Sequence, residues 1–583
     1  MAPLIEPRDG DAEDDFSSTK KRSLLAIAGS LLGEINLPKL ALAWVILALV
    51  PGALLGVAPL VATAWFSSVA DRIYALAGIG PLILLAFVAA VGWYGVRPLF
   101  RAAERSFWSL NSLVVQPGYA LCREGLRHLA ERFLTIGASE DKRAFLRAAT
   151  AIGAGVLACV AAATVAILVW PATRWSGEIA DLAQPLRLIV PSLANTVTVM
   201  AGYLALASLV WGFADGLMDQ PRDIAGFEEA PASARRWRVA HLSDIHVVGE
   251  RYGFRIESGR AGPRGNERLA QVLERLDRIH AEEPLDLLLI TGDMTDAGRS
   301  AEWAEFLDAM ARHPALAQRC LILPGNHDVN IVDRANPARL ELPTSPGKRL
   351  RQMRTLSAMA AIQGDRVRVV DQGRTQLAGS LAAALEPHRE KIAGFADAGT
   401  LRLSAGLATI WTDVFPMVLP PAEEDGLGVV LLNSNAETHF SFTNALGLVA
   451  EEDLRAMLAI LRRFPKARWI IGLHHHPVEY PRPAKAFSER IGTALINGSR
   501  FVRQLKPMAH RLVAMHGHRH IDWIGRCGPL KIISAPSPVM EATDDKPTSF
   551  YIHTLAAAAD GGLALLKPQL IEIAPRPPEA LSS

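Results

Sequence analysis

Five short polar motifs follow five apolar, strand-like runs in the second half of this 583-residue chain. The runs cover residues 239–242, 285–290, 321–323, 469–473 and 512–515. In the same order, the motifs are Asp244-Ile245-His246, Gly292-Asp293, Gly325-Asn326-His327-Asp328, His474-His475-His476-Pro477 and Gly517-His518-Arg519-His520. Segments with helical periodicity, such as 267–280 and 301–312, alternate with these runs. The alternation predicts a layered α/β domain with polar loops at the ends of its strands.

The residue types in these motifs are those that bind metal ions. Carboxylate, imidazole and carboxamide groups form a mixed set of hard and borderline ligands that suits Mn, Fe, Zn or similar divalent ions. Any one motif alone is weak evidence, because a lone Asp-x-His or a histidine run is common at strand ends. Five in one order favour a site for two metal ions over coincidental polar loops, since converging ligand clusters are a functional signature.

With these motifs in this order, the region from about residue 238 to residue 537 resembles the calcineurin-like metallophosphoesterase superfamily. The resemblance covers roughly half of the chain and implies an α/β fold, a two-sheet sandwich flanked by helices. It also implies which residues bind the two divalent metal ions. The first metal would be held by Asp244, His246 and His520, the second by Asn326, His475 and His518, and Asp293 would bridge both.

In the histidine run 474–476, the ligand has to be chosen from three adjacent histidines. His475 is the predicted ligand because the family's ligand stands two positions before the proline. His474 and His476 are then expected to have structural roles. His516 is expected to end a strand rather than to bind metal, because the family's pattern uses the two histidines that follow it.

The resemblance further implies that His327 is the catalytic histidine and that Asp328, next to it, is its orienting partner. Two divalent ions bridged by a carboxylate lower the pKa of a shared water, so a metal-bridging hydroxide exists near neutral pH and attacks phosphorus in line. His327 would then protonate or hydrogen-bond the leaving oxygen. No covalent enzyme intermediate is required.

Departures from well-known branches of the superfamily narrow the substrate class. Purple acid phosphatases place a tyrosine ligand three residues after the bridging aspartate, where this chain has Asp296. Protein Ser/Thr phosphatases have Arg-Gly-Asn-His-Glu where residues 324–328 read Pro-Gly-Asn-His-Asp. This block and the His-His-Pro run resemble the bacterial small-molecule phosphodiesterases that are often grouped with cyclic-nucleotide enzymes. The analogy ranks small phosphodiesters and phosphomonoesters first without identifying one.

The first 215 residues are of a different kind, because they contain four uncharged apolar stretches, 40–66, 73–96, 148–170 and 188–213. Each is close to or above the roughly 20 residues that a helix needs to cross a bilayer core. They predict an all-α transmembrane region of about four helices. Because prolines lie at positions 51, 59 and 81, kinked helices or a re-entrant segment are alternatives to straight spans.

Basic residues indicate the orientation of this region. Lys and Arg are concentrated before the first stretch and between the second and third, and such residues stay on the cytoplasmic side. We therefore expect an integral protein of the bacterial inner membrane with both termini and the catalytic domain in the cytoplasm. The acidic N-terminus, with Asp9, Asp11 and Glu13, does not have the basic and then apolar pattern of a cleavable signal.

The predicted domain organisation follows from these patterns. Residues 1–37 are a disordered tail, 38–214 the transmembrane region, 215–236 a linker, and 237–575 the phosphoesterase domain with an insertion at 330–428. The four cysteines are scattered and suggest neither a zinc knuckle nor a disulfide framework. The net charge of +2 does not indicate the strongly basic surface that is typical of nucleic-acid binding.

Two groups of basic residues leave alternatives open. Arg351 and Arg354, in the insertion, either lie on a solvated helical face or face the site and recognise a second phosphate or an anionic lipid head group. The amphipathic segment 119–134 either lies on the anionic leaflet or packs against the catalytic domain.

The sequence as a whole predicts a membrane-anchored, dimetal-dependent phosphoesterase that acts on small phosphodiesters or phosphomonoesters. A hydrolase of lipid-linked pyrophosphates is the enzymatic alternative, and it would explain the anchor. A non-catalytic membrane sensor is a third possibility, but the complete ligand set argues against it. The leaving group, the native metals, protein partners and the oligomeric state are not indicated by the sequence.

Overall fold

The structure is a computed structural model that describes residues 3–9, 50–75, 116–134, 139–178, 184–249, 266–332, 341, 345–371, 373, 375–438, 441, 444–481, 495–539 and 547–574. The chain divides into two compact units. The sheet unit comprises Met1–Ile35, Asp219–Ala484 and Ser488–Ser583, and the helical unit comprises Asn36–Met218 and Lys485–Phe487. Each unit is described by itself below.

The strands all belong to the sheet unit. In chain order they are β1 (Pro221–Asp223), β2 (Arg236–Leu242), β3 (Leu287–Ile290), β4 (Cys320–Ile322), β5 (Arg368–Asp371), β6 (Gln376–Ser380), β7 (Met417–Leu419), β8 (Leu427–Leu431), β9 (Arg468–Gly472), β10 (Leu512–His516), β11 (Trp523–Cys527), β12 (Leu530–Ser534), β13 (Thr548–Ala557), β14 (Leu563–Leu565) and β15 (Gln569–Ile573). They form two sheets. One has nine strands in the order β1-β11-β12-β10-β9-β8-β7-β5-β6, and the other has six, in the order β14-β13-β2-β3-β4 with β15 paired to β13.

The helices are divided between the two units. The helical unit contains α1 (Val50–Ala75), α2 (Gln116–Leu134), α3 (Glu140–Val169) and α4 (Ile189–Gly216). The sheet unit contains α5 (Glu267–Glu282), α6 (Ser300–Ala311), α7 (Pro314–Ala317), α8 (Asn326–Val329), α9 (Pro346–Gln363), α10 (Leu381–Leu385), α11 (Arg389–Ala393), α12 (Phe395–Ala398), α13 (Leu401–Gly406), α14 (Ala408–Asp413), α15 (Glu451–Arg463) and α16 (Gly498–Leu505). The sheet unit is therefore mixed α/β with two sheets, as the sequence predicts.

Parallel pairing brings the motif-bearing loops together. β2, β3 and β4 pair in parallel in the six-stranded sheet, and β9 pairs in parallel with β10 in the nine-stranded sheet. Apart from the first residues of β2, these strands are buried, and aliphatic side chains predominate in them, as expected for strands covered on both faces. Because the carboxyl ends of parallel strands meet at one edge of a sheet, the polar loops that follow these strands also meet there.

The predicted insertion, 330–428, is part of the core rather than an excursion from it. Helix α9 buries Leu350, Met353, Leu356 and Met359 in the hydrophobic core of the sheet unit. Strands β5, β6 and β7 extend the nine-stranded sheet at one end. The basic residues of α9 conceal this in the sequence, because they interrupt the apolar stripe that otherwise predicts a buried helix.

Two segments predicted to be unstructured also contain structure. Within the predicted linker, 215–236, strand β1 pairs antiparallel with β11. Residues 3–9, which the sequence assigns to a disordered tail, pack on the sheet unit, and Ile5 is 4% exposed. We call residues 3–9 the N-terminal segment. Its apolar pair, Leu4 and Ile5, gives a short acidic stretch enough apolar surface to dock.

In the helical unit, two helices of the described residues are long and apolar enough to cross a membrane. They are Asp141–Ala172, with a mean hydropathy of 2.5, and Leu186–Gly216, with 1.7. The shorter apolar helix Leu55–Val69 lies within α1, which overlaps the predicted stretch 40–66. Most of the predicted stretch 73–96 lies outside the described residues. Two of the four predicted spans thus meet the requirement of length and composition.

Helices α3 and α4 approach closely through small residues. A Cβ atom on Gly212 would lie 2.8 Å from Cα of Gly155 and 2.9 Å from the backbone oxygen of Ala151. Ala151 and Gly155 in α3 face Ser208 and Gly212 in α4. Such spacing of small residues is typical of helix pairs in membranes, where close backbone contact replaces the hydrophobic driving force.

Helix α2 is fixed within the helical unit by buried polar contacts. Arg123 donates to Asp215 at 2.7 Å and to Glu124 at 2.9 Å, and Arg127 donates to Glu124 at 3.0 Å. The Tyr119 hydroxyl donates to Asp215 at 2.9 Å. Since Asp215 lies at the end of α4, these contacts join α2 to α4. Arg123 and Arg127 of the predicted segment 119–134 are thus used in ion pairs within the helical unit, an arrangement that neither sequence-based alternative included.

Candidate metal centre

Three side chains from two distant parts of the sequence form the first group of candidate ligands. Asp244, His246 and His520 place their ligand atoms within 4.8 Å of one another. Nε2 of His520 lies 3.3 Å from Oδ1 of Asp244 and 3.3 Å from Nε2 of His246. Asp244 and His246 follow β2, and His520 follows β10. These are the residues that the family resemblance assigns to the first metal.

A second group surrounds the imidazole of His474. Its Nε2 lies 3.3 Å from Oδ2 of Asp293, 3.1 Å from Oδ1 of Asn326 and 3.1 Å from Nδ1 of His518. Asp293 also lies 3.7 Å from Nε2 of His246, so its carboxylate stands between the two groups. This is the place expected for a bridging ligand.

The structure brings His474, rather than His475, into this cluster. Nδ1 of His474 is 2.8 Å from the backbone oxygen of Thr291, a contact that directs Nε2 toward Asp293. His475 instead places Nδ1 2.9 Å from the hydroxyl of Ser434. The ring of His475 also lies against that of His518, with centroids 4.4 Å apart. The structure therefore places His474, and not the predicted His475, among the candidate ligand atoms of this cluster.

The backbone at the cluster is strained. Among the described residues, six other than glycine have a positive φ, and five of these are Asp244, His246, Asp293, His518 and His520. Left-handed conformations of such residues are uncommon and cluster at functional sites, where the surrounding structure enforces them. Here the strain turns carboxylate and imidazole groups inward from loops that leave parallel strands.

The electrostatics of the cluster favour positive charge at its centre. Burial raises the pKa of the Asp244 carboxyl, but the neighbouring His520 and His474 together outweigh burial, and the pKa falls to about 2. Burial likewise opposes ionisation of Asp293, yet His474 and His327 hold its pKa well below the usual range. Burial lowers the pKa of His474, and Asp293 more than reverses this, raising it to about 9. Two ionised carboxylates thus face each other in a buried space.

These observations fit a pair of divalent cations. Ionised carboxylates, imidazole nitrogens and one carboxamide oxygen are a donor set that such ions prefer. The strained backbone and the close approach of ligand atoms from separate loops are consistent with such ions. The side chains would hold one ion at Asp244, His246 and His520 and another at Asn326, His474 and His518, with Asp293 between them.

His327 is oriented by Asp296, not by Asp328. Its Nδ1 lies 2.6 Å from the backbone oxygen of Asp296 and 4.0 Å from the carboxylate of the same residue. The His327 ring also packs edge-on against His246, with centroids 4.5 Å apart. Donation from Nδ1 to a carbonyl fixes the tautomer and leaves Nε2 as the nitrogen that can exchange a proton with a substrate.

Asp328 has a structural role in the same loop. Its carboxylate accepts hydrogen bonds from the backbone N–H of Thr295 and of Gly325, both at 2.9 Å, and from the Thr295 hydroxyl at 2.7 Å. Burial and the charge of Asp293 raise the pKa of Asp328 to about 7. The predicted orienting partner of His327 thus ties the loop after β3 to the loop after β4.

Arg351 and Arg354 do not lie on a solvated face, and neither has its guanidinium open to a substrate. Arg351 donates to the backbone oxygen of Val329 at 3.2 Å and pairs with Glu341. Arg354 donates to the backbone oxygen of Gly298 at 2.7 Å. Both are buried. They bind the backbone of the loops that carry Asp296 and His327, and so stabilise these loops.

Sequence reasoning missed the residues whose roles depend on backbone geometry. Thr291 orients His474, Ser434 contacts His475, and the backbone of Asp296 orients His327, the predicted catalytic histidine. In the sequence, Asp296 is notable only because purple acid phosphatases have a tyrosine at this position. Asp296 stands three residues after Asp293, in a turn that precedes a helix. This spacing indicates that the two residues share one loop.

A comparison with protein families agrees with this site. Residues 238–386 match the family described as Calcineurin-like phosphoesterase. The match runs from β2 to the end of α10 and includes the first three of the five motifs. The chain therefore contains a calcineurin-like phosphoesterase domain. This places it in the class of metal-dependent phosphoester hydrolases.

Solved structures show more distant likenesses. A dimetal phosphatase from Danio rerio is 13% identical, with 58% of this chain and 99% of that chain covered and a TM-score of 0.33. The NAD nucleotidase of Haemophilus influenzae is 11% identical, with coverages of 58% and 51% and a TM-score of 0.29. A purple acid phosphatase from yellow lupin is 11% identical, with coverages of 59% and 55% and a TM-score of 0.27.

This chain thus spans about half the length of the nucleotidase and of the lupin phosphatase. At TM-scores below 0.5, the likenesses carry no conclusion about activity. No curated protein shows a significant match to the chain.

Proposed function

We propose that this protein is a membrane-anchored phosphoesterase that uses two divalent metal ions to hydrolyse small phosphodiesters or phosphomonoesters. The observation that carries the proposal is the cluster around Asp293, in which ligand atoms from five separate loops approach within hydrogen-bonding distances. Divalent ions bound there would lower the pKa of a water that they share and would neutralise phosphoryl oxygens. The remaining chemistry belongs to the chain's own residues.

His327 is the proposed proton donor. Its Nδ1 donates to the backbone of Asp296, and its Nε2 delivers a proton to the leaving oxygen of the substrate. General acid catalysis of this kind typically contributes about 10²- to 10⁴-fold. The buried contacts of Arg351, Arg354 and Asp328 keep the two loops rigid, and so keep the imidazole in place.

The substrate class rests on the block Pro-Gly-Asn-His-Asp at residues 324–328, which resembles that of small-molecule phosphodiesterases. Nucleotides belong to this class. The apolar outer surface of the helical unit supports lipid-linked pyrophosphates as a second class, because an enzyme at the bilayer meets such substrates directly. A sensor without catalytic activity is disfavoured, because seven candidate ligands for two ions, Asp293 among them, lie together in the sheet unit.

The test is hydrolysis by the purified full-length protein with added Mn²⁺, Zn²⁺ or Fe²⁺. The panel contains cyclic nucleotides, nucleoside diphosphates, phosphomonoesters and lipid pyrophosphates in detergent. We expect turnover of a small phosphoester that is abolished by a chelator and restored by metal. Selective turnover of the lipid would replace the proposed substrate class with the alternative. Metal binding without turnover of any member would favour the sensor.

We also propose that the helical unit spans the bacterial inner membrane and that the sheet unit faces the cytoplasm. Helices α3 and α4 support the anchor, and the distribution of Lys and Arg supports the orientation. Reporters fused after Gly216 and at the C-terminus should be active only in the cytoplasm. A reporter that is active in the periplasm at either place would overturn the orientation without affecting the proposed chemistry.

A further inference from the structure

The N-terminal segment is joined to the sheet unit by three kinds of contact. The backbone N–H of Ile5 donates to the hydroxyl of Ser357 in α9 at 2.9 Å. The hydroxyl of Ser300, the first residue of α6, donates to the backbone oxygen of Pro7 at 2.6 Å. Arg8 forms an ion pair with Asp308 in α6. The segment thus lies across α6 and α9.

The surface under this segment is shaped to receive it. Ile5 belongs to the hydrophobic core of the sheet unit, with Leu4 packed against the same core. Ser300 and Ser357 are each 1% exposed, and each uses its hydroxyl to bind the segment's backbone. An incidental contact of a chain end would not bury an isoleucine and satisfy two buried hydroxyls at once. The match indicates a fixed docking position.

Hydrogen bonds and short stretches of backbone connect this surface to His327. Ser300 begins α6, and Glu302 in the same turn accepts from the backbone N–H of Ala297 at 2.9 Å and of Arg299 at 3.0 Å. Ala297 directly follows Asp296, whose backbone oxygen orients His327. The first turn of α6 therefore fixes the loop that positions the imidazole.

Helix α9 reaches the same loop from its other side. Arg354 donates to the backbone oxygen of Gly298, and Arg351 donates to that of Val329, two residues after His327. A Cβ on Gly298 would lie 2.9 Å from Cδ of Arg351, so the loop and α9 are in close contact. The N-terminal segment joins the outer faces of the two helices that hold the loop between them.

We propose that the N-terminal segment is a positioning element of the active site, which keeps α6 and α9 at the spacing that orients His327. The segment is separated from the first described residue of α1 by residues 10–49 of the same chain. Docking therefore ties the catalytic loop to the chain that leads into the helical unit, and release of the segment lowers catalysis. This inference rests on the proposed function, because its main readout is phosphoester hydrolysis.

The test replaces Ile5 by Asp in the full-length protein, which places a charge in the apolar part of the docking surface. We expect kcat to fall by about 10- to 100-fold, as for other remote changes that displace a catalytic group. Metal content and KM should be unchanged. Hydrogen exchange of the segment 294–300 should become faster, a readout that does not depend on turnover.

A synthetic peptide of residues 1–12 distinguishes positioning from stability. Added to the Ile5→Asp protein, the wild-type peptide should restore kcat in a saturable manner, whereas a peptide carrying the same substitution should not. Saturation should require a high peptide concentration, because the covalent link supplies a large effective concentration. The charge pair gives a matched control, since Arg8→Asp should reduce docking and Arg8→Asp with Asp308→Arg should recover it.

The outcomes separate this inference from the proposed function. If the wild-type protein hydrolyses nothing in the panel, the proposed function fails, and faster exchange of 294–300 in the Ile5→Asp protein still supports the positioning role. If the wild type is active and Ile5→Asp has the same kcat, with only a lower melting temperature, the segment merely stabilises the fold. That result would overturn the inference.

Discussion

The two units of this chain bury different kinds of residue. Besides Arg268, helix α5 of the sheet unit buries Leu269, Val272, Leu273, Leu276 and Ile279. Besides Trp211, helix α4 of the helical unit buries small and polar residues, namely Ser192, Ala194, Asn195, Thr198, Ala201, Ser208 and Gly212. Many of its large apolar side chains point outward instead, among them Leu206 at 66% exposed and Val190 at 64%.

Burial of polar residues therefore has a different meaning in each unit. In the sheet unit, apolar burial is the rule, so a buried cluster of carboxylates and imidazoles is the exception that marks a site. In the helical unit, small and polar residues lie mainly inside and many apolar residues outside, an arrangement expected of helices in lipid and consistent with the proposed anchor. Polar burial there is accounted for by helix packing.

The largest expected effect is at the centre of the polar cluster. Replacement of Asp293 by Ala removes the carboxylate between the two ligand groups, so we expect loss of both metal binding and hydrolysis. His327→Ala should retain both metals and lose about 10²-fold or more in kcat, the share of a general acid. Metal analysis and kinetics of the two purified variants decide this. Near-normal turnover of Asp293→Ala would contradict the site.

The second prediction sharpens the assignment within the histidine run. His474→Ala removes the imidazole whose Nε2 faces Asp293 and Asn326, so it should lose one of the two metals and most of the activity. His475→Ala removes a ring bonded to Ser434 and should cost about 10- to 100-fold in metal affinity at most, as outer contacts to ligands do. The two variants are matched in size and position. Equal loss of metal in both would contradict the distinction.

The third prediction tests the helical unit. Gly212→Leu places a side chain where a Cβ alone would lie 2.8 Å from Cα of Gly155. Overpacking should destabilise the α3–α4 contact by about 1–3 kcal/mol or more. Val210→Leu, at an exposed position of the same helix, is the control and should be neutral.

Thermal unfolding of both variants in detergent measures the effect. Hydrolysis of a soluble substrate at low temperature should be unchanged in both, because the metal ligands all lie in the sheet unit. Equal destabilisation by the two substitutions would remove the contrast between inner and outer faces of α4.

The sequence predicts the parts of the site that depend on residue type and order. Alternating apolar runs and polar motifs predict the layered α/β domain, and the family resemblance adds its two sheets. The resemblance also selects Asp244, His246, Asp293 and His520, whose ligand atoms the structure places in adjoining groups. Their role as metal ligands stays a prediction. Choices between neighbours are different, since His474 and His475 are chemically identical and only the backbone direction separates them.

Long-range contacts are what the sequence conceals. Asp328 is next to His327 in the chain, yet Asp296 supplies the orienting carbonyl because the loops after β3 and β4 meet in space. The N-terminal segment docks through Leu4 and Ile5, two apolar residues too few to produce a periodic pattern. In the same way, β1 is a strand because β11 offers it an edge, not because residues 221–223 have strand-like composition.

The last prediction concerns Glu302, a buried acid of the sheet unit that lies beside the site without belonging to the ligand set. Burial, followed by the charge of Asp296, raises its pKa from 4.5 to about 8. Between these values, the folded protein keeps a proton that the unfolded chain has released. Folding stability contributed by this group therefore falls as pH rises from 4.5 to 8.

Glu302→Gln should remove this pH dependence while keeping an oxygen to accept from Ala297 and Arg299. We expect the wild type to lose more stability than the variant between pH 5 and pH 8, by up to about 1.4 kcal/mol per pH unit. Urea unfolding at several pH values measures the difference, and Glu282→Gln, at an exposed position of α5, is the control. Parallel curves for wild type and Glu302→Gln would mean that the buried acid is ionised in the folded protein. The first turn of α6 would then be bound by an ionised carboxylate. The buried charged groups at the site would therefore include Glu302 in addition to the candidate ligands.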